Sequence, residues 1–138
     1  KQRHVLRDAG WKLLTCEAEL VDILSNKVKL RDFAAKRGLA DHWPASYFSP
    51  AEANYPCILK GAVGQFGRHV HIMRSAAEIE QRLAKIDEGC SARWMLQELI
   101  AGEVEHCVSL LVRGGAIQHQ VVTEYTYDRA EYRSNLDE

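Results

Sequence analysis

A glycine-bearing loop directly after Lys60 is the part of the sequence whose residue types best match a chemical task. Gly61, Gly64 and Gly67 recur at every third position between two predicted strands. Because glycine has no Cβ, backbone N–H groups can approach phosphate oxygens closely, and a lysine at the entrance adds a positive charge on a flexible stem. The loop matches neither a Walker A sequence nor a dinucleotide fingerprint. It predicts either a flap over a polyphosphate or a plain hairpin loop that uses glycine for positive φ.

The elements predicted around this loop would hold it in place. Short apolar and alternating runs predict strands over residues 57–60 and 69–73, which pair as a hairpin. Residues 75–78, Ser-Ala-Ala-Glu, match a capping box that begins a helix predicted over 76–87. Its buried face would consist of Ile79, Leu83 and Ile86.

Strands are also predicted further along the chain, over residues 94–99 and 106–112. Gly114-Gly115 would connect the second of these to residues 116–122 through a two-residue hairpin turn. Residues 98 onward are therefore expected to begin a second sheet.

The N-terminal part is predicted to contain three helices and one strand. Helices over residues 1–10 and 17–24 flank a strand over 11–16, and Ser25 or Asn26 accepts from the N–H groups that open a third helix, which ends near Gly38. Residues 49–52, Ser-Pro-Ala-Glu, match another capping box with proline at the first helical position.

The order of these features is similar to that of a known superfamily. Asn26-Lys27 opens a helix, a strand ends in Lys60, the glycine loop and return strand follow, a capped helix starts at Ser75, and Gln97-Glu98-Leu99-Ile100 comes next. In this combination the chain resembles the ATP-grasp superfamily from about residue 24 to residue 127. The resemblance implies an α+β fold, an antiparallel sheet with packed helices and an incomplete second subdomain. It implies a lead-in over 1–41, a small subdomain with the flap over 42–97 and the start of the second subdomain over 98–138.

The resemblance implies which groups would bind the phosphates of ATP. Lys27 corresponds to the first phosphate-directed lysine, and Lys60 to the second, which reaches the α- and β-phosphates. Gly64 and Gly67 would belong to the flap. The flap here is bulkier than the denser glycine run of the family, and Arg68 is expected to share in the phosphate charge.

The resemblance also implies where the adenosine part would bind. Gln97 and Glu98 would belong to the hinge between the subdomains, with the Glu98 carbonyl accepting from the adenine amino group and the Ile100 N–H donating to the ring. Glu105 would accept from the ribose hydroxyls, and Glu103 is its rival because Val104 is an extra residue relative to the commoner family pattern.

Each of these assignments has a plain structural alternative. Lys27 and Lys60 could be surface lysines whose stems lie along apolar surface. The three glutamates of residues 98–105 could face solvent from an antiparallel sheet, with Leu96, Leu99 and Val108 facing inward.

The activity implied is that of an ATP-dependent carboxylate–amine ligase, in which ATP with Mg²⁺ activates a carboxylate as an acyl phosphate that an amine or other nucleophile then captures. Asp128, Glu131 and Glu138 lie in polar sequence that predicts no strand, so the Mg²⁺ ligands are expected outside this chain and the chain alone is expected to be inactive. The alternative function is a non-catalytic or regulatory nucleotide-binding module. A zinc site including His69 and His71 is a third possibility, although such a pair on a strand more often faces solvent.

Composition limits the remaining function classes. The 138 residues are 46% hydrophobic and 27% charged, with a net charge of −1, which does not favour binding to nucleic acid or to an anionic membrane. The four cysteines show no CxxC spacing and are expected to be reduced and buried, in a cytoplasmic protein. An exposed apolar face on the incomplete subdomain is expected to favour self-association.

Overall fold

The computed structural model describes residues 2–13, 16–64, 69–85 and 94–131. Within these ranges the chain combines four α-helices with antiparallel sheets, which confirms the predicted α+β class. The chain divides into two compact units, Lys1–Trp43 and Pro44–Glu138. No helix in the described ranges is both long and apolar enough to cross a membrane. The subdomain boundary expected between residues 97 and 98 stays a prediction.

The first unit contains the three predicted helices, α1 (Arg3–Asp8), α2 (Ala18–Ser25) and α3 (Lys27–Lys36), followed by a 3₁₀ turn at Ala40–His42. The side chain of Asn26 accepts from the N–H groups of Val28 at 3.0 Å and Lys29 at 3.1 Å. Because the first N–H groups of a helix have no partner within the helix, this cap explains why α3 begins at Lys27.

The prediction of a strand over residues 11–16 is wrong for residues 11–13 and 16, which the structure describes outside any strand. Gly10, at φ +85°, ends α1, and the N–H of Trp11 donates to the carbonyl of Leu6 at 2.9 Å. This is the Schellman arrangement that ends many helices. The Trp11 N–H is thus used to end the helix, and its side chain is 66% exposed.

The second unit contains a four-stranded antiparallel sheet in the order β1-β4-β2-β3. Its strands are β1 (Ser46–Tyr47), β2 (Cys57–Gly61), β3 (Val70–Met73) and β4 (Trp94–Glu98). Cys57 pairs with Met73 and Lys60 with Val70, so the predicted hairpin around the glycine loop is confirmed. β1 was not predicted, since two residues carry too little periodicity to indicate a strand.

The core lies between one face of this sheet and α4 (Ala76–Ala84). Alternate residues of β2 are buried, with Cys57 and Leu59 both at most 1% exposed, and Ile79 of α4 packs against them. Leu83, four residues further along α4, is 39% exposed, so its predicted burial is wrong: the buried cluster around Ile79 does not extend to it. Ile86 lies outside the described residues.

The two capping boxes have different outcomes. Ser75 accepts from the N–H of Glu78 at 3.3 Å, which confirms the start of α4. Residues 49–52 form only a 3₁₀ turn, Pro50–Glu52, and the Ser49 side chain makes no cap bond. Because the backbone is extended again at Ala53, the second box has no α-helix to cap, and the helix predicted there is wrong.

The second sheet is a long hairpin of β5 (Val104–Arg113) and β6 (Ala116–Thr126). Gly114 and Gly115 connect the strands at φ +58° and +77°. Positive φ at both central residues is the requirement of a type I′ turn, so the predicted hairpin is confirmed.

Both faces of this hairpin are exposed in the described part of the chain. Val108 on one face is 56% exposed and Val121 on the other is 50% exposed. The inward-facing position expected of Val108 is therefore wrong, because a two-stranded sheet offers no second layer to cover it.

The described cysteines differ in their burial. Cys57 is buried as predicted, whereas Cys16 and Cys107 are exposed, so burial of these two is wrong. Cys107 lies on the uncovered hairpin, which is why its apolar neighbours in the sequence do not bury it. Cys90 lies outside the described residues.

Candidate functional site

Lys60 and Gln97 meet on the face of the four-stranded sheet opposite the Cys57 and Leu59 core. Lys60 pairs with Met95 in the ladder, and its ammonium donates to Oε1 of Gln97. Gln97 is only 4% exposed, and its Nε2 donates to the carbonyl of Pro44 at 3.4 Å. The Gln97 amide is thus held from both ends. Because its oxygen is neutral, this contact orients the Lys60 ammonium without cancelling its charge.

The glycine loop begins where β2 ends. The N–H of Gly61 donates to the carbonyl of His69 at 3.1 Å, and a Cβ at Gly61 would lie 3.2 Å from the Val63 carbonyl oxygen. Gly61 is therefore favoured by close packing rather than by positive φ. Gly64 is half-buried. Gly67 and Arg68 lie outside the described residues, and their predicted roles stay predictions.

A cavity of about 360 Å³ lies where the chain passes from β4 to the hairpin. Its lining includes Ile100, Gly102, Val104, Glu105 and Tyr127. Two backbone bonds hold its wall: Gly102 N–H donates to the Ala130 carbonyl at 2.9 Å, and Tyr127 N–H donates to the Glu103 carbonyl at 2.7 Å. The volume is at the lower end of the 300–1,000 Å³ or so typical of small-molecule pockets.

Of the two glutamates expected to be rivals for the ribose, Glu105 lines the cavity and Glu103 does not; Glu131 lines it as well. Glu105 lines the cavity and accepts from the hydroxyl of Tyr127 at 3.0 Å. Within the described residues, the lining does not include Glu103, whose carbonyl binds the Tyr127 backbone. Sequence reasoning did not identify Tyr127, because only the pairing of β5 with β6 brings it next to Glu105.

Glu98, the last residue of β4, makes two contacts with Ala45. Its N–H donates to the Ala45 carbonyl at 2.8 Å, and its carboxylate accepts from the Ala45 N–H at 3.1 Å. Ile100 lies two residues later and is 67% exposed at the cavity. The expected base-binding segment therefore leaves the sheet and enters the cavity wall.

Lys27 belongs to the other compact unit, where it is the first residue of α3 and is half-buried. Lys60, Gln97, Glu98, Ile100 and Glu105 all belong to the second unit. These five residues thus share one unit, but of them only Ile100 and Glu105 line the cavity, and a common site stays a prediction, as does the role of Lys27.

Of the two histidines next to the loop, His69 is exposed, as expected of a solvent-facing residue, whereas His71 is buried. His71 is 7% exposed and stacks on Trp94 with ring centroids 6.0 Å apart, and one nitrogen of the Arg82 guanidinium lies 2.9 Å from its Nε2. His69 contacts the same Trp94 ring edge-on. In the described residues, no three His, Cys, Asp or Glu side chains form a group that could hold a metal ion. The zinc site considered for His69 and His71 therefore has no such group behind it in the described residues, and the Mg²⁺ ligands stay a prediction.

Two titratable groups of the sheet are shifted by burial. Burial raises the pKa of the Cys57 thiol. Burial also raises the pKa of the Tyr55 hydroxyl, and the nearby Cys57 and Glu80 raise it further. The Tyr55 hydroxyl donates to the Pro50 carbonyl at 2.7 Å. Both shifts favour the protonated form, so neither group is prepared to act as a nucleophile.

No protein-family model matches this chain, and no curated protein matches it either.

Proposed function

We propose that the second unit binds an adenine nucleotide, with the adenosine part at the cavity and the phosphates directed toward Lys60, and that it is the nucleotide-binding part of an ATP-grasp ligase. The observation that carries the proposal is the contact between Lys60 and Gln97. Through this contact the Lys60 ammonium, which lies next to the glycine loop, binds a side chain of β4. Ile100, three residues after Gln97, lines the cavity.

The base and ribose would be held by Glu98, the last residue of β4, and by Ile100 and Glu105 at the cavity. The Glu98 carbonyl accepts from the adenine amino group, and the N–H of Ile100 donates to a ring nitrogen. Glu105 accepts from the ribose hydroxyls, with its carboxylate oriented by Tyr127. These contacts use neutral backbone groups for the base and one carboxylate for the sugar, so they add no positive charge of their own.

Charge for the phosphates would come from Lys60. The glycines of the loop, Gly64 and Gly67, would let the backbone cover the phosphates, with Arg68 supplying a second cation. In the ligase reaction ATP phosphorylates a carboxylate substrate, and an amine then displaces phosphate from the acyl phosphate. Lys60 would offset charge on the phosphates during the first step.

The test is calorimetric titration of ATP into the wild-type protein and the Lys60→Ala variant. Each charge-assisted contact contributes about 1.5–3 kcal/mol, so the variant should bind ATP about ten- to a hundredfold more weakly. Lys85→Ala, in the same unit at the end of α4, is the matched control and should bind as the wild type does. An unchanged ATP affinity in folded Lys60→Ala protein would reject the site.

A second measurement separates the ligase from the non-catalytic module. ADP release is measured with the protein in its native form, Mg²⁺ and a panel of carboxylates and amines. Release that depends on both an acid and an amine supports the ligase. Nucleotide binding with no substrate-dependent release supports the non-catalytic module instead.

A further inference from the structure

The chain that follows β6 is joined to one end of the four-stranded sheet by an ion pair. Cys57 pairs with Met73 on one side and with Glu98 on the other, so β3 and β4 both finish at this end of the sheet. Arg74 comes directly after β3, and its guanidinium contacts the Glu131 carboxylate at 2.5 Å. The two residues are 57 positions apart, so the contact depends on the tertiary structure.

The two sides of this ion pair are held differently. The Arg74 N–H donates to the Glu78 carboxylate at 2.7 Å, which fixes the Arg74 backbone to the first turn of α4. On the other side, residues 128–130 are exposed, and the Ala130 carbonyl accepts from the Gly102 N–H at 2.9 Å. Segments with few buried side chains and exposed hydrogen bonds open at low free energy. If the ion pair breaks, the segment after β6 is therefore the side that moves.

This segment forms part of the cavity wall. Ala130 and Glu131 line the cavity, and so does Tyr127 at the start of the segment. The Tyr127 N–H donates to the Glu103 carbonyl at 2.7 Å, which holds this residue to the start of β5. A movement of residues 128–131 about Tyr127 would take Ala130 and Glu131 out of the wall and open the cavity to solvent.

We propose that residues 128–131 are a lid on the cavity and that the Arg74–Glu131 ion pair is its latch. The lid controls access to the cavity whichever ligand the cavity takes, so the inference goes beyond the proposed function. The Arg74 and Glu131 side chains are 59% and 36% exposed, and ion pairs between such exposed groups are weak and are screened by salt. A weak pair suits a latch, because the lid must open each time a ligand enters or leaves.

The first measurement is hydrogen exchange of the Gly102 N–H, followed by NMR in the protein without ligand. An exposed ion pair changes an equilibrium by about 1.4- to fivefold, so Arg74→Gln and Glu131→Gln should each exchange this N–H faster by that factor. The double variant Arg74→Glu/Glu131→Arg, which reverses the pair, should return the rate toward that of the wild type. Asp128→Asn is the matched control: it removes the ion pair with Arg129 inside the segment and should exchange as the wild type does.

The second measurement is the association rate of ATP, used here as the probe of access. The two latch variants change the net charge in opposite directions, so electrostatic attraction of ATP changes in opposite directions and cancels in the geometric mean of their rates. A lid that opens more often should raise this mean about 1.4- to fivefold above the wild-type rate.

Three results would overturn the inference. Unchanged exchange of the Gly102 N–H in both latch variants would show that the ion pair does not hold the segment. An equal rise at the Tyr127 N–H would show that the end of β6 opens as a whole, without a lid. Faster exchange with an unchanged mean association rate would show that the segment moves but does not control access. A wild type that binds no ATP would reject the proposed function, and hydrogen exchange alone would then decide on the lid.

Discussion

The hydroxyl of Tyr127 donates to Oε2 of Glu105 at 3.0 Å, where the second sheet meets the cavity. The Tyr127 backbone N–H is bound at the same time by the Glu103 carbonyl at 2.7 Å. One residue just after β6 thus fixes the start of β5 through its backbone and orients the cavity carboxylate through its side chain.

In the proposed nucleotide site, this contact would orient the carboxylate that binds the ribose. Tyr127→Phe removes the donor and leaves the Glu105 carboxylate without its orienting bond, so ATP affinity should fall about two- to tenfold. Affinity for 2′,3′-dideoxy-ATP should not change, because that nucleotide has no hydroxyls for Glu105. Glu105→Ala should remove the difference between the two nucleotides, whereas Glu103→Ala, the control, should keep it. A loss in Glu103→Ala alone would transfer the role to Glu103.

The two capping boxes offer a matched test of helix capping. Ser75→Ala removes the bond to the Glu78 N–H and should lower the free energy of unfolding by about 1 kcal/mol. Ser49→Ala removes no cap bond and should change it by less than about 0.5 kcal/mol. Urea denaturation of both variants measures the difference. Equal losses would mean that both serines cap, or that neither does.

Apolar residues of the core and of the second sheet should differ sharply in their effect on stability. Ile79 is fully buried, and Ile79→Ala should cost about 2–5 kcal/mol through lost burial and the cavity it leaves. Val108 is 56% exposed on the hairpin, and Val108→Ala should cost no more than about 1 kcal/mol, mainly through strand propensity. The measurement is again denaturation. A large loss at Val108 would show that this face is covered in solution.

Stability should fall at alkaline pH because of Cys57. Burial raises the pKa of its thiol, so the unfolded chain releases this proton at a lower pH than the folded chain. The unfolded state then binds fewer protons, and the free energy of unfolding declines as pH rises above the unfolded value of about 8.5. Between pH 7.5 and 9.5 the free energy of unfolding should fall more steeply in the wild type than in Cys57→Ala, which lacks the thiol. Parallel pH profiles would contradict the prediction.

Several elements were predictable because the interactions that form them are local. Asn26 caps α3 with N–H groups two and three residues away, Gly10 ends α1, and Gly114-Gly115 turns the hairpin. Each depends on residue types within a few positions, which are visible in the sequence. The order of strand, glycine loop and return strand came from the same short-range patterns.

Other features depended on contacts between distant parts of the chain. Ser49 and Ser75 stand in equivalent motifs, yet only Ser75 has a helix to cap, because the chain becomes extended again at Ala53. His71 is buried because Trp94 and Arg82 pack against it, and Val108 is exposed because its hairpin has one layer. Burial depends on which surfaces meet in three dimensions, and apolar periodicity cannot specify the partner.

The candidate site likewise has some features that follow from the sequence and others that depend on the tertiary structure. At the level of sequence, Lys60, Glu98, Ile100 and Glu105 became candidates through the resemblance to the ATP-grasp superfamily, which depends on the order of short motifs. Their arrangement came only from the tertiary structure: β4 lies beside β2, which brings Gln97 to Lys60, and Ala45 lies beside Glu98, which engages its carboxylate. The order of residues along the chain can be read from the sequence. The distance between side chains across a sheet depends on strand pairing, which brings together residues more than thirty positions apart.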